Sequence, residues 1–156
     1  MRPYVCRVSS EEEQALSAYA SALADAIDDV LPRWVDRSVR RRLSPLPPGV
    51  ATLARQAGER ARDDVGAAVR ALLETDVDTQ RGNPLALLRT AVRYPTEVLH
   101  AAGAPVVERD KFSRERFPDD VYDLTPANWS DVDPSLQDLG IAWGAAKAFV
   151  HKTRHR

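Results

Sequence analysis

A stripe of apolar side chains near the N-terminus constrains this chain more than any other feature. Its members recur at three- and four-residue spacing: Leu16, Tyr19, Ala20, Leu23, Ala26, Ile27, Val30, Leu31 and Trp34. Side chains at this spacing lie on one face of an α-helix, so the stripe predicts a long amphipathic helix that must bury that face. Ser10 and Glu13 have the spacing of a capping box, which predicts that the helix begins near residue 10.

A second apolar stripe of the same period runs through residues 50–72. The proline-rich segment 44–49 separates the two stripes and cannot continue a helix. Pro32 either kinks the first helix or opens a new one at its first turn. Gly58 and Gly66 each cost the second helix about 1 kcal/mol relative to alanine, so tertiary contacts must hold it.

Beyond a polar loop at 75–82, three dipeptides place a capping side chain directly before a proline. They are Asn83-Pro84, Thr125-Pro126 and Asp133-Pro134. Each combination favours the start of a helix. The last of these helices is predicted to run to about residue 153 and to bury Leu136, Leu139 and Trp143. Segment 106–130 is the least regular, and its four aromatic residues predict an ordered loop with short helical turns.

Together these patterns predict an all-α fold, a compact single-domain bundle of about five to seven helices with an ordered irregular loop near 106–130. The domain is expected to cover residues 1–156, with an N-terminal helical pair at 10–74 and a C-terminal helical part at 83–154. If Leu23 and Trp143 belong to the core, replacing either by alanine should destabilise the fold by several kcal/mol.

Charge and composition exclude several classes of protein. Lysine and arginine number 22 and aspartate and glutamate 23, a balance that argues against a wholly basic nucleic-acid coat and against an acidic disordered tail. Cys6 is the single cysteine, so neither an intrachain disulfide nor a four-cysteine zinc site is available. No export signal and no uninterrupted apolar stretch of about 20 residues is visible, which predicts a cytoplasmic protein without a membrane partner.

Motifs of the common enzyme and nucleotide sites are missing. The sequence contains no GxGxxG, GxxxxGK[ST], HExxH or GxSxG pattern, and we therefore expect no cofactor and favour a non-enzymatic role. Glu97 and His100 have the spacing that di-iron carboxylate bundles use, but such sites need two of these pairs and the sequence has one.

One acidic cluster is the best candidate for chemistry if the protein is an enzyme. Asp119, Asp120 and Asp123 could hold a hydrated magnesium ion or act as acid and base. The favoured alternative is that they lie at a helix N-terminus, where carboxylates complement the helix dipole.

Two basic clusters are candidate anion-binding sites. The first comprises Arg37, Arg40, Arg41 and Arg42, and the second comprises Lys147, Lys152, Arg154 and Arg156. Clusters of this kind can bind the phosphates of RNA or DNA. The favoured alternative is that they are solvated helix C-termini, which favour cations.

Aromatic side chains concentrate in the last third of the chain. Phe112, Phe117, Tyr122 and Trp129 form a candidate partner surface, because interfaces are enriched in aromatic residues and arginine. Anchoring in the core is the favoured alternative for the same residues.

Small residues recur every four positions in the last predicted helix. Gly140, Gly144 and Ala148 leave a track where another helix can approach closely. Packing within the fold is the favoured explanation of this track and self-association is the alternative, so the sequence leaves open whether the chain forms a homo-oligomer.

The chain from residue 83 to its end, especially the segments FPDDVYDLTP at 117–126 and WGAAKA at 143–148, resembles a group of uncharacterised conserved proteins of actinobacteria. The resemblance covers about half of the chain. It implies a bacterial cytosolic setting and assigns neither an activity nor a functional residue.

Taken together, the sequence favours a small cytosolic protein-interaction or regulatory module whose partner is another protein. The first alternative is an RNA- or DNA-associated protein that binds phosphates through its arginine-rich helix ends. The second is a small enzyme that uses the aspartate cluster.

Overall fold

The computed structural model describes residues 2–75 and 82–154, and the side chains of 11–75 and 82–153. These described residues contain eight α-helices: α1 (Arg2–Arg42), α2 (Val50–Ala61), α3 (Ala67–Thr75), α4 (Pro84–Leu88), α5 (Arg93–Ala101), α6 (Lys111–Arg116), α7 (Trp129–Val132) and α8 (Leu136–Arg154). A π-helical turn at Arg62–Gly66 joins α2 to α3, and a 3-10 turn at Arg89–Val92 joins α4 to α5. The described part thus forms six continuous helices without a strand, which confirms the predicted all-α bundle. The predicted polar loop at 75–82 falls largely on 76–81, outside the described residues.

The long helix α1 is the centre of the fold, and α2, α3, α5 and α8 all pack against it. Its buried face carries the predicted stripe, with Leu23 and Ile27 fully inaccessible to solvent. Exposed Tyr19 is the exception in this stripe. α8 begins beside Arg37, near the end of α1, and packs along α1, so the two helices run antiparallel.

α1 begins at Arg2, so the predicted start near Ser10 is wrong. Pro3 is accommodated in the first turn, and neither glycine nor proline interrupts the chain between it and Pro32. A continuous helix therefore runs through Ser10 and Glu13, because capping-box spacing alone does not begin a new helix. Of the two outcomes considered for Pro32, the helix continues through it.

Gly58 explains how α2 approaches α1 at Pro32. A Cβ on Gly58 would lie 2.9 Å from the Pro32 Cα and 3.0 Å from its carbonyl oxygen. Both atoms belong to the backbone and cannot rotate away. The helix propensity lost at Gly58 is therefore offset by a close contact between helices, as the sequence predicted.

Gly58→Ala is expected to lower the free energy of unfolding by about 1–3 kcal/mol, because it forces the backbones of α1 and α2 apart. Gly144→Ala is the matched control. A Cβ there meets nothing within 4 Å, so the better helix propensity of alanine should raise stability by up to about 1 kcal/mol. Urea denaturation of both variants checks the pair, and equal effects would contradict this packing.

Two of the three predicted cap–proline starts are confirmed. The Asn83 side chain accepts a hydrogen bond from the Ala86 N–H at 3.2 Å at the start of α4. Asp133 accepts from the Ser135 N–H at 2.9 Å ahead of α8. The Ser135 hydroxyl and N–H together lower the pKa of this carboxyl.

Thr125-Pro126 does not start a helix, and that prediction is wrong. The Thr125 hydroxyl donates to Asp120 at 2.6 Å, so it is not available to cap a helix. α7 begins instead after Asn128, which forms a capping box with Asp131.

Candidate interaction surface

The four predicted partner-surface residues do not share one surface. Phe112 is 68% exposed, Phe117 and Trp129 are half-buried, and Tyr122 is fully buried. A Cβ on Gly140 would lie only 2.4 Å from atoms of the Trp129 ring, so the ring packs directly against the glycine. Tyr122 and Trp129 therefore act as anchors within the fold, the alternative that the sequence left open.

Tyr122 ties the irregular segment to the end of α5. Its hydroxyl donates to the Ala104 carbonyl at 3.0 Å and lies 3.2 Å from His100 Nδ1, with the two rings edge to face. The side chain of Glu97 lies 3.4 Å from Arg60 instead. Glu97 and His100 thus have different partners and do not act as a pair.

α6 is held in place although it buries none of its own residues. The Asp110 carboxylate accepts from the Ser113 N–H at 2.8 Å and caps the helix. This hydrogen bond lowers the pKa of the Asp110 carboxyl. Arg109 donates to the Phe117 carbonyl at 2.7 Å, beyond the end of α6. These polar contacts fix a helix whose side chains all face solvent or the edge of the fold.

Arginine and aromatic side chains are interleaved on this helix. The Arg116 guanidinium lies 5.1 Å from the Phe117 ring centroid and 5.9 Å from that of Phe112. Val106, on the preceding loop, is 67% exposed. We call Val106, Phe112, Arg114, Arg116 and Phe117 the α6 surface.

Two shallow cavities flank the α6 surface. One, of about 310 Å³, is lined by Val106, Val107, Glu108, Arg109, Arg114 and Val121. The other, of about 230 Å³, is lined by Arg89, Val92, Arg116, Phe117, Pro118, Asp119, Asp120 and Thr125. Arg89 borders the second cavity and donates to the Pro126 carbonyl at 2.9 Å, which connects the surface to the segment after Tyr122.

The aspartate cluster organises a turn. Asp120 is 3% exposed, and its carboxylate accepts from the Leu124 N–H at 2.9 Å and from the Thr125 N–H at 2.8 Å. Asp119 and Asp123 are exposed, and Asp123 adopts a left-handed φ of 55°. These residues lie in turns, so the predicted helix N-terminus is wrong. Within the described residues, no group of three or more histidine, cysteine, aspartate or glutamate side chains is placed to hold a metal ion.

Most of the first basic cluster is paired within the chain. Arg40 binds Asp36 at 2.8 Å, and Arg42 donates to the Tyr122 carbonyl at 2.9 Å. Arg37 donates to the Val132 carbonyl. Arg37 and Arg42 thus attach the end of α1 to segments that follow α6, a role that the sequence did not indicate, whereas the Arg40 pair stays within α1.

Two members of this cluster, Arg37 and Arg41, line a cleft. The cleft measures about 470 Å³ and is lined by Trp34, Arg37, Arg41, Asp123, Leu124, Thr125, Pro126, Ser130, Asp131 and Pro134. Two arginines and two aspartates balance its charge. The carboxylate of Asp131 already accepts from the Ala127 N–H at 2.9 Å. The cleft therefore lacks the excess positive charge that a phosphate site requires.

The second basic cluster does not join the first. Lys147 is 4% exposed, with its ammonium 5.0 Å from the Trp143 ring centroid, whereas Lys152 is exposed. Arg156 and the side chain of Arg154 fall outside the described part. Because α8 runs antiparallel to α1, Lys152 and Arg42 lie toward opposite ends of the bundle.

A buried tyrosine network links α5 to the π-helical turn. The Tyr94 hydroxyl donates to Asp64 at 2.6 Å and accepts from Arg93 at 2.9 Å. Burial raises the pKa of Tyr94, and the hydrogen bond to Asp64 adds to the effect. The sequence gave no sign of this pairing, because Tyr94 and Asp64 are 30 residues apart.

Among the described residues, no helix is long and apolar enough to cross a bilayer. Comparison of the chain with protein-family models, with curated proteins and with solved structures found no match.

Proposed function

We propose that this protein is a non-catalytic protein-interaction module that binds its partner through the α6 surface. The observation that carries the proposal is a helix fixed by polar contacts at both ends, with no buried residue, that holds Phe112 68% exposed. Because α6 contributes no buried residue to the core, we assign its role to the side chains that it presents to solvent.

The composition of the α6 surface supports a protein partner. Phe112 and Val106 supply apolar area that is lost from water on binding, and Arg114 and Arg116 supply donors for carboxylates or carbonyls of the partner. Aromatic residues and arginine are enriched at protein interfaces, and arginine is among the residue types that dominate the binding energy there. The flanking cavities of about 310 and 230 Å³ offer space for side chains of the partner.

The pairing of the basic residues makes the nucleic-acid alternative less favoured. Arg37, Arg40 and Arg42 have intrachain partners, and Lys147 is buried. Phosphate binding by Arg37 or Arg42 would have to break contacts that hold α1 to the rest of the fold. The enzyme alternative loses support in the same way, because the carboxylate of Asp120 is occupied by backbone donors.

Site-specific photo-crosslinking tests the proposal. A photoreactive phenylalanine analogue at position 112, introduced in the cells that make the protein, is expected to form a discrete covalent adduct with a protein. Leu53, which is 43% exposed on α2, is the matched control position and should give no such adduct. Identical adducts at both positions would refute the proposal, as would an adduct at 112 that nuclease digestion removes.

Affinity for the purified partner provides the quantitative test. Phe112→Ala is expected to weaken binding at least about tenfold, because exposed aromatic residues at interface centres typically contribute more than 1 kcal/mol. Thermal unfolding of this variant should match the parent, since Phe112 has little buried area to lose. Unchanged affinity measured by calorimetry would show that the partner binds elsewhere.

A further inference from the structure

The outer face of α8 is apolar although it points away from the bundle. The buried face carries Leu136, Gly140, Trp143 and Val150 toward the rest of the fold. A surface helix normally presents charged and polar side chains on the opposite face, whereas a helix that is apolar all round is normally buried.

Four apolar residues occupy the centre of that outer face. Ile141 is 56% exposed and Phe149 is 57% exposed, and Ala145 and Ala148 between them are exposed as well. Their spacing of three and four residues places them in one continuous row along α8. Asp138 and Lys152 are exposed at the two ends of the row. The face therefore combines an apolar centre with one charge of each sign at its ends.

This row is symmetric about Ala145. Ile141 and Phe149 lie four residues to either side of it, and Asp138 and Lys152 lie seven residues to either side. If two copies of α8 pair antiparallel about a two-fold axis at Ala145, Ile141 meets the partner's Phe149. In the same arrangement Asp138 meets the partner's Lys152. Because the two-fold axis repeats every contact, the interface contains two apolar Ile141–Phe149 contacts and two Asp138–Lys152 ion pairs.

We propose that the outer face of α8 binds a second copy of this chain, with the two α8 helices antiparallel and crossing at Ala145. A parallel pair would instead place Asp138 against Asp138 and Lys152 against Lys152. Neither side chain makes an ion pair with a described residue of its own chain, so both are available across the axis. The inference goes beyond the proposed function, because it assigns a different surface and a different partner.

Small side chains at the crossing point allow the two backbones to approach. Ala145 lies on the axis, and Gly144 beside it has nothing within 4 Å of the position of its Cβ. The fold of one copy gives no reason for a glycine at 144, whereas Gly140 is required by Trp129. Close helix crossings favour small residues at this kind of position.

The size of the face sets the expected strength of the dimer. Stable interfaces bury about 1,200 Å² or more, and the proposed contact uses one face of one 19-residue helix from each copy. We therefore expect a dimer that dissociates on dilution. Sedimentation of the full-length protein from low micromolar to millimolar concentration is expected to show a rise from monomer to dimer mass.

Charge reversal tests the antiparallel arrangement. Asp138→Lys and Lys152→Asp each convert both interchain attractions into repulsions and are expected to raise the dimer dissociation constant about tenfold. A mixture of the two variants should restore the parent affinity, because each charge then meets an opposite charge in the heterodimer. Added salt should reduce these differences, since the pairs are exposed.

Matched variants separate this interface from general effects of charge. Ala145→Glu places two carboxylates at the two-fold axis and should abolish the dimer, whereas Ala51→Glu, at an exposed position of α2, should leave it unchanged. The proposal is overturned if the parent protein stays monomeric at millimolar concentration. It is also overturned if the two reversal variants fail to restore association when mixed. All of these variants change exposed side chains, and a cooperative thermal unfolding transition verifies that each one is folded.

Discussion

Replacing Leu23 by alanine is expected to lower the free energy of unfolding by about 2–5 kcal/mol, the largest effect of a single substitution predicted for this protein. Leu23 is 0% exposed and lies on the buried face of α1, the helix against which α2, α3, α5 and α8 pack. The substitution removes buried apolar groups and leaves a cavity that surrounding helices can fill only in part. Urea denaturation monitored by circular dichroism measures the loss.

Leu53→Ala is the matched control for this prediction. It deletes the same atoms from α2, but Leu53 is 43% exposed and already contacts water, so the loss should stay below about 1 kcal/mol. The sequence alone predicted that replacing Trp143 would also be costly, and its 6% exposure supports the same expectation. A Leu23→Ala protein that unfolds at the same urea concentration as Leu53→Ala would contradict α1 as the centre of the core.

The helical fold could be predicted because its signals are local. The stripes in α1 and α2 repeat every three or four residues, and Pro84 follows a capping asparagine, so each helix is visible within a short window. Helix ends were less predictable. Ser10 belongs to a sequence pattern typical of a helix start but lies inside α1. Thr125 precedes a proline as helix caps often do, but its hydroxyl donates a hydrogen bond to Asp120 instead.

The candidate surface was predictable only in part, because exposure depends on contacts between distant residues. Phe112 and Tyr122 are both aromatic residues in an irregular segment, yet one is exposed and the other reaches the Ala104 carbonyl inside the fold. The clue that distinguishes them is the partner of each side chain, and sequence spacing does not contain it. Val106, an exposed residue of the α6 surface, was missed for the same reason.

The arginines illustrate a second limit of sequence reasoning. Arg37, Arg40 and Arg42 look alike in sequence, but they bind a carbonyl of α7, a carboxylate of α1 and the carbonyl of Tyr122. Local charge density predicted a solvent-exposed cluster at a helix end. Long-range pairing instead makes two of these arginines connectors between α1 and the irregular segment, which lowers their value as phosphate ligands.

Asp120→Ala is expected to lower the free energy of unfolding by about 2–4 kcal/mol, because it leaves buried hydrogen-bond donors without an acceptor. The Leu124 N–H and the Thr125 N–H both point at the Asp120 carboxylate, and Leu124 is only 5% exposed. Water cannot replace the lost acceptor at such a site without opening the turn. The turn also carries Tyr122, so its loss should be felt at the end of α5.

Asp119→Ala is the control that separates this structural role from a catalytic or metal-binding one. Asp119 is the exposed neighbour of Asp120, and its replacement should change stability by less than about 0.5 kcal/mol. If the cluster instead held a divalent cation, both substitutions would weaken binding of magnesium, and magnesium would stabilise the parent protein. We expect thermal unfolding to show a large shift for Asp120→Ala alone and no dependence on magnesium. Equal shifts for the two variants, or stabilisation by the ion, would return the aspartate cluster to the list of candidate active sites.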